Sequence, residues 1–322
     1  MEYFTTDSAI IIFLFDRGTL FVKVMPIKKQ GLYDLINVFR MELSDNKNLN
    51  SKDDSADKLY ELLISPVLDH ISQKRLYIVP HGWLHYIPYQ ALKRNSRYLV
   101  EEFAITYVPS VTILKTLHDR NMKTNASIFI IGNPNVGDSL YDLKYAEEEA
   151  VSIGMKFGNK DKKVLVREYA TETMFKEYSY KYDVVHIAAH AFFNCDNPLH
   201  SYILLRGDEK NDGRLYANEF YKMKLSSSLL TMSACNTGLS YVSKGDEIIG
   251  LNRGVMYAGV DSIVSSLWNV DDRSTAYLMS IFYQNLTKMS KDIALQKAQI
   301  HTIKSFPNPY AWAPFVLSGK KD

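Results

Sequence analysis

The sequence lacks the features that mark several special classes of protein. It has only 2 cysteines in 322 residues, too few for a disulfide framework, so we expect a reducing compartment. Its formal net charge is +2 with both signs interspersed, which offers no basic surface for nucleic acid or acidic lipid. The apolar run at residues 9–15 is too short to cross a bilayer and does not resemble a signal peptide. We therefore expect a cytoplasmic protein that binds neither nucleic acid nor a membrane directly.

The overall amino-acid composition is that of an ordinary globular protein. Hydrophobic residues make up 46% and charged residues 23%, which excludes a largely disordered chain. At roughly 150 residues per domain, the length fits about two domains. A polar stretch at residues 119–125 makes the best boundary. We predict an N-terminal domain at 1–122 and a second domain at 123–322.

The second half alternates short apolar runs with helical patterns. Strands are predicted at 128–131, 164–166, 184–188, 229–233, 263–267 and 315–317. Helices are predicted at 145–157, 248–258, 276–286 and 293–303. This alternation predicts a mainly parallel sheet with helices on both faces, a three-layer α/β domain.

The first half has fewer such elements. Its patterns predict a hairpin at 10–15 and 19–25, helices at 32–43, 59–71 and 110–118, strands at 76–79 and 103–108, and a loop at 44–55. We expect a smaller α/β unit in front of the main domain.

Two of the predicted strands end in residues that can carry chemistry. The strand at 184–188 is followed by His190, and the strand at 229–233 is followed by Cys235. Functional residues of open α/β sheets collect at the carboxyl ends of the strands. A thiol there needs a base to take its proton, and a neighbouring imidazole is suited to that task. A buried core cysteine and an ordinary polar histidine remain alternatives on this pattern alone.

Six segments in order resemble the CHAT peptidase family, bacterial relatives of caspases and separase. They are, along the chain, VPHGWLHYIPYQAL at 79–92, YVPS at 107–110, HIAAH at 186–190, SACNTG at 233–238, SSLWNVDD at 265–272 and WAPFVLSG at 312–319. The resemblance covers nearly the whole chain. It implies a caspase-like three-layer sandwich with a mainly parallel sheet, preceded by a smaller pseudo-caspase-like subdomain.

The resemblance also implies roles for individual residues. Cys235 is the implied nucleophile and His190 the implied general base, with the backbone N–H groups of Ala191 and Cys235 facing the oxyanion. Where this chain has Ala191, the family usually has glycine. An alanine N–H can still donate unless the backbone there requires a positive φ, which a side chain makes costly. Alanine in place of glycine is expected to affect the rate of peptide cleavage more than the type of reaction.

Substrate selection is expected to depend on an acidic side chain. In related separases, an acidic residue in the segment corresponding to 265–272 lines the pocket for a basic side chain. Asp272 is the first choice here, followed by Asp271, and Asp246 is a further candidate. The alternative is that these carboxylates serve as ordinary caps or first-turn charges of helices.

Other motifs favour structural explanations. His186 and His190 are four residues apart but lack the further ligands of a zinc site, and His186 is expected to be a core histidine. The glycine-containing turn at 132–137 lacks the Gly-Lys-Ser/Thr ending of a phosphate loop. Cys195 is a rival thiol on a predicted loop, where it would be held less firmly than Cys235. We expect no metal and no cofactor.

These expectations define two functions. The first is a cysteine endopeptidase that cleaves a protein or peptide after a basic residue. The resemblance implies regulation by another domain or complex, such as a TPR region or a CRISPR-type effector complex, in bacterial defence or signalling. The second is a catalytically weak or inactive interaction or scaffold module with the same fold.

Overall fold

The computed structural model describes residues 1–44, 54–119, 127–158, 161–194, 196–233 and 247–322. Its strands are β1 (Glu2–Thr5), β2 (Ala9–Asp16), β3 (Thr19–Pro26), β4 (Arg75–Ile78), β5 (Lys93–Arg94), β6 (Arg97–Tyr98), β7 (Ala104–Tyr107), β8 (Ile128–Pro134), β9 (Lys162–Arg167), β10 (Val184–Ala188), β11 (Ala191–Phe192), β12 (Tyr202–Leu204), β13 (Arg214–Tyr216), β14 (Leu229–Met232), β15 (Ser262–Ser266) and β16 (Phe315–Gly319). Its helices are α1 (Lys29–Ser44), α2 (Asp54–Leu63), α3 (Val111–His118), α4 (Lys144–Lys156), α5 (Glu172–Tyr178), α6 (Ala217–Phe220), α7 (Glu247–Tyr257), α8 (Asp272–Leu286) and α9 (Lys291–Ser305).

A large sheet forms the centre of the molecule. Among the described residues it has eight strands in the order β4-β7-β16-β15-β14-β10-β8-β9. All five residues of β10 are buried, because side chains on both of its faces meet helices. One face packs against α4, α8 and α9, and the other against α5, α6 and α7. The structure confirms the predicted three-layer α/β fold with a mainly parallel sheet.

The sheet contains one reversal of direction. The strands from β15 to β9 are parallel to one another, and so are β4, β7 and β16. The two groups meet where β16 lies antiparallel to β15. Strands from the first hundred or so residues thus share a sheet with the rest of the chain. The predicted domain boundary at 122/123 lies outside the described residues, and the division into two domains stays a prediction.

The first three strands form a separate sheet in the order β1-β2-β3. Alternation along β2 turns Ile10, Ile12 and Leu14 inward, where they are buried against helix α1 and its neighbours. The sheet is attached to the large one through Val79, whose backbone N–H and C=O bond to Met1 and Tyr3. This attachment lies at the β4 edge, far along the sheet from β10.

Most element boundaries agree with the sequence-based predictions to within a few residues, with some differences. The helix predicted at 59–71 ends at Leu63 and continues as a 3₁₀ turn at Ser65–His70, where Pro66 cannot donate a helical hydrogen bond. Strands β1, β5, β6, β11, β12 and β13 and helices α5 and α6 were not predicted, because runs of two to seven residues leave little periodicity to detect. Most of the loop predicted at 44–55 lies outside the described residues. No helix in the described ranges is both long enough and apolar enough to cross a membrane.

Replacing Gly132 by alanine tests how closely α4 packs on the sheet. A Cβ added at Gly132 would lie 2.7 Å from the Cβ of Ala150 and 3.1 Å from the carbonyl oxygen of Ala146. We expect Gly132→Ala to lower the free energy of unfolding by about 1–3 kcal/mol, measured by urea denaturation. The matched control is Gly31→Ala in α1, where the nearest atom is 3.9 Å away and alanine favours the helix. Equal effects of the two substitutions would contradict this prediction.

Candidate active site

His190 lies just beyond the carboxyl end of β10 and is half-buried. Its backbone carbonyl accepts a hydrogen bond of 2.8 Å from the N–H of Leu204, and the ring of Tyr141 meets its ring edge-on at 5.6 Å. Burial lowers the pKa of the His190 imidazole, and a hydrogen bond with the backbone of Tyr141 opposes that shift. Main-chain groups thus hold both parts of this histidine: Leu204 binds its backbone carbonyl, and Tyr141 binds its ring.

Several polar atoms near this strand end are buried but have no hydrogen-bond partner among the described residues. They include Nε2 of His190, Oγ of Ser233 and Oγ of Ser266. These residues come from the carboxyl ends of β10, β14 and β15, which are neighbours in the sheet. Buried polar groups are nearly always hydrogen-bonded, so an exception calls for an explanation, of which a catalytic role or a bound water is one. We call the space beyond these three strand ends the candidate cleft.

Ala191 lies in β11 next to this cleft. Because His190 and Leu204 form a hydrogen-bonded pair, the next pair, Ala191 and Ile203, is a non-hydrogen-bonded one. The N–H of Ala191 therefore points away from β12. Ala191 is not among the described residues with positive φ, so the steric objection to alanine at this position does not apply.

Two residues near His190, Tyr141 and Asn133, were not predicted from the sequence as part of the site. Tyr141 contacts the His190 ring, and it belongs to a segment that Asn133 holds in place. The buried side chain of Asn133 donates to Oδ1 of Asp142 at 2.8 Å and accepts from the N–H of Leu143 at 2.8 Å. Asn133 also has a φ of 44°, in the left-handed region. The signal was the turn at 132–137, which lies at the carboxyl end of a predicted strand and can therefore border the site.

A row of aromatic side chains runs from the cleft along the small sheet β11-β12-β13. Phe192 stacks on Tyr202 with ring centroids 5.0 Å apart, and Tyr202 contacts Tyr216 at 5.5 Å. At its inner end, Phe192 also contacts Tyr141 at 6.1 Å. These half-buried rings form an aromatic surface beside His190.

His186 is a core histidine, as the sequence predicted. It is fully buried, and its side-chain partners come from helices α4 and α8 on one face of the sheet. Nδ1 lies 3.0 Å from the hydroxyl of Tyr283, and Nε2 lies 2.7 Å from Oε1 of Glu149. The Tyr283 hydroxyl in turn donates to Oγ1 of Thr231 at 2.9 Å. These side chains, which we call the Glu149–Thr231 network, join α4, β10, α8 and β14. In the described part of the chain, no group of three or more His, Cys, Asp or Glu residues could hold a metal ion.

Asp271 and Asp272 both accept hydrogen bonds at helix N-termini. Asp271 caps α8, since its Oδ2 accepts from the N–H of Ser274 at 2.8 Å. Asp272 reaches a different helix, where its Oδ2 accepts from the N–H of Tyr145 at 2.9 Å in the first turn of α4. Burial raises the pKa of Asp272 to about 6, the Tyr145 bond lowers it, and the charge of Glu149 raises it. These contacts favour the capping role for both residues, and recognition of a basic substrate side chain stays a prediction.

Three residues singled out from the sequence lie outside the described residues. They are Cys235, Asp246 and Cys195. Their assigned roles as nucleophile, pocket acid and rival thiol stay predictions.

Comparison with known protein families identifies one match that covers most of the chain. A family model described as "CHAT domain" matches residues 53–320, which confirms the resemblance found in the six segments. Tetratricopeptide repeat protein 28 of Homo sapiens is 26% identical over an alignment of 321 residues that covers 81% of this chain. The Mus musculus protein of the same name is 25% identical. This chain spans only 13% of the length of either relative.

Solved structures share the fold over nearly the whole chain. The separase–securin complex of Saccharomyces cerevisiae gives a TM-score of 0.54 at 16% identity, covering 95% of this chain and 21% of that one. The complex of the pro- and mature domains of Porphyromonas gingivalis RgpB gives 0.52 at 11% identity, covering 91% and 76%. The Arg-specific cysteine proteinase gingipain R gives 0.50 at 10% identity, covering 91% and 74%. At such identities the likeness concerns the fold, and it confirms the predicted caspase-like architecture.

The raised pKa of Asp272 predicts how stability depends on pH. Ionising Asp272 costs more in the folded protein than in the unfolded chain, whose Asp pKa is near 3.9. We expect the wild type to lose stability relative to Asp272→Asn as pH rises from about 4 to about 6. Solvent screening of this half-exposed group limits the change to roughly 1 kcal/mol.

The measurement is urea denaturation of both proteins between about pH 4 and 7. Asparagine keeps an oxygen that can accept from the Tyr145 N–H, so the helix contact is retained. Asp69→Asn, at an exposed carboxylate, is the control for the loss of one negative charge. A stability difference between wild type and Asp272→Asn that stays constant with pH would rule out the raised pKa.

Proposed function

Because this chain belongs to the CHAT domain family, we propose that it is a cysteine endopeptidase in which Cys235 is the nucleophile and His190 the general base. The observation that carries the proposal is the hydrogen bonding of His190. Its Nε2 is buried at a strand end and has no hydrogen-bond partner among the described residues, although the opposite side of the residue is held by backbone contacts. A general base needs this combination of fixed orientation and a free nitrogen.

The register of the two central strands supports the pairing of His190 with Cys235. Strands β10 and β14 pair residues that are 45 positions apart, such as Val184 with Leu229. His190 and Cys235 are separated by the same 45 positions. The ladder continues as far as Ser233, whose N–H donates to the carbonyl of Ile187 at 3.0 Å. Adjacent strands lie about 4.8 Å apart, which brings groups at the same level within reach of each other.

The hydrogen bonding of His190 fits the role of a base. Since Nε2 has no described partner, we assign the contact with the Tyr141 backbone to Nδ1, which then donates its proton to that carbonyl. The neutral imidazole keeps its lone pair on Nε2. Burial lowers its pKa, so this neutral form prevails near pH 7.

The reaction then follows from these groups. Nε2 of His190 takes the thiol proton of Cys235, and the thiolate attacks the peptide carbonyl carbon. The tetrahedral intermediate collapses as His190 gives the proton to the leaving amine, and a thioester remains. Water, deprotonated by His190, hydrolyses the thioester and restores the thiol. The N–H of Ala191, which points away from β12, is suited to stabilise the oxyanion together with the N–H of Cys235.

We also propose cleavage after a basic residue. Gingipain R, which has a similar fold, is described as an Arg-specific cysteine proteinase. Asp272, Asp271 and Asp246 remain the candidate acids. Since Asp271 and Asp272 each accept backbone hydrogen bonds at a helix N-terminus, Asp246 should be tested alongside them. A carboxylate facing Arg or Lys forms a charge-assisted pair that discriminates strongly against apolar side chains.

Regulation by a protein partner is the third part of the proposal. The curated relatives are named for tetratricopeptide repeats, and the separase structure is a complex with securin. A repeat region or a separate inhibitory protein would control access to the cleft. A CRISPR-type effector complex and a role in bacterial defence stay predictions, because the proteins named above are not described in those terms.

One observation favours a second function, that of an interaction module. The relatives at 26% and 25% identity are named for their repeats and not for peptidase activity. A fold of this kind could position partners without cutting them. One observation speaks against this second function: Ala191 has no positive φ, so alanine at this position does not strain the backbone.

Cleavage of a peptide library separates the two functions. We expect the wild type to cut a proteome-derived library after Arg or Lys, with junctions identified by mass spectrometry. Cys235→Ala and His190→Ala should each lower the rate at least about 1,000-fold, because either loss removes the nucleophile–base pair. The melting temperature of His190→Ala should stay within a few degrees of wild type, since His190 is half-buried at a strand end and its loss removes little of the core.

Cys195→Ser is the matched control for this experiment. It removes the other thiol of the chain and should leave the rate unchanged. Loss of turnover in Cys195→Ser would overturn the choice of nucleophile. Cleavage that persists in Cys235→Ala would remove Cys235 from the mechanism, whereas a wild type that binds library peptides without cutting any would favour the interaction module.

The protonation of His190 can be measured directly. In the Cys235→Ala variant no thiolate can stabilise the imidazolium, so burial should dominate. We expect NMR titration to place the pKa of His190 below 6.5, the value of an unperturbed histidine. The His190 resonance is identified by its absence from the Cys235→Ala/His190→Gln spectrum. A midpoint at or above 6.5 would contradict the burial argument.

A further inference from the structure

The β1-β2-β3 sheet has an unusual solvent-facing side. Alternate residues of its strands point away from the core, and nearly all of them are apolar. We call this surface the apolar face; it consists of Phe4, Ile11, Phe13, Phe15, Leu20, Val22 and Val24. Phe15 is 69% exposed, Val24 59% and Leu20 58%, while Phe4 and Val22 are each 48% exposed.

The register makes these side chains neighbours. Phe13 lies opposite Val22, Phe15 opposite Leu20, and Ile11 lies between Phe4 and Val24. The five most exposed side chains together present on the order of 500 Å² of apolar surface. That is near the upper end of what a soluble monomer shows in one patch, and patches of this size commonly mark binding surfaces.

The face has two properties that indicate what covers it. Glu2, at the β1 margin, is the one charged residue that alternates onto it within the three strands. A surface that carries a single charge, at its margin, can meet an identical surface with little like-charge repulsion. The roughly 500 Å² of the five most exposed side chains, extended by a margin of Glu2, Ala9 and Pro26, is of the same order as the roughly 800 Å² per partner of a stable interface. We propose that a second copy of this chain covers the apolar face, forming a two-fold symmetric dimer.

The dimer forms by stacking of the two sheets rather than by pairing of their edges. Two apolar sheet faces pack about 10 Å apart with their side chains interdigitated, as in a β-sandwich. Within the described ranges, the outer edge of β3 pairs with no strand. It carries Lys23 and ends at Pro26, and both residue types discourage the addition of a further strand. The aromatic rings on β1 and β2 and the smaller valines on β3 provide the large and small residues needed for interdigitation.

This interface is independent of the proposed peptidase site. The β1-β2-β3 sheet is attached at the β4 edge, and four strands separate β4 from β10 in the large sheet. At about 4.8 Å per strand, His190 lies some 24 Å along the sheet from β4. A dimer formed through the apolar face leaves both clefts open.

Sedimentation equilibrium of the 322-residue chain tests the proposal. Between about 10 and 200 µM, the wild type should show a mass of twice 37.0 kDa. Val22→Lys should raise the dissociation constant of the dimer at least tenfold, because two-fold symmetry buries two added charges per dimer. Val22 is an exposed residue of β3, so lysine can be accommodated in the monomer.

Two further variants keep the test decisive. Met155→Lys changes an apolar residue of α4 that is 71% exposed, and it should leave the dimer unchanged. Val22→Thr keeps the β-branched shape, and it should weaken the dimer measurably even if Val22→Lys disturbs folding as judged by circular dichroism. A wild type that stays monomeric at about 200 µM overturns the proposal. A dimer that withstands both Val22 substitutions overturns it as well.

Discussion

The parallel pairing of β10 with β14 is the constraint on which the rest of the structure depends. Both strands are buried on both faces, so their relative register cannot slip without moving apolar side chains into the wrong layer. That register sets the level at which each strand leaves the sheet. His190 inherits its position from it, and so does Ser233, directly after β14. The chemistry proposed for this chain is therefore a consequence of sheet geometry more than of any single loop.

Helix α4 transmits this order to the surroundings of His190. Its Glu149 contacts His186 in β10, its first turn is held by Asp272, and its close approach to the sheet requires Gly132. The segment that enters α4 carries Tyr141. The Glu149–Thr231 network thus lies beneath the candidate site without reaching solvent. Buried polar networks of this type specify one packing arrangement, because any alternative would leave their members without partners.

The sequence predicted the central architecture well, for a physical reason. Strands β8, β10, β14 and β15 are short buried runs rich in apolar residues. The next α-helices after β8, β14 and β15 have 11 to 15 residues, and such a pattern has few alternatives. His190 could be selected because it follows one of these runs. Tyr141 and Asn133 could not, since their roles depend on a turn whose path is set by side-chain hydrogen bonds. The role of Asp272 as a cap for α4 was equally hidden, because 127 residues separate it from Tyr145.

The position of β16 has a consequence for how the chain acquires its structure. This strand, at residues 315–319, sits inside the sheet between β7 and β15 instead of at an edge. During synthesis, the β4–β7 pair and the β15-to-β9 block can each form early, yet neither can join the other until β16 has left the ribosome. Completion of the sheet is thus a late event that depends on contacts distant in sequence. A nascent chain would carry two unsealed strand edges until then, which makes chaperone protection valuable over that interval.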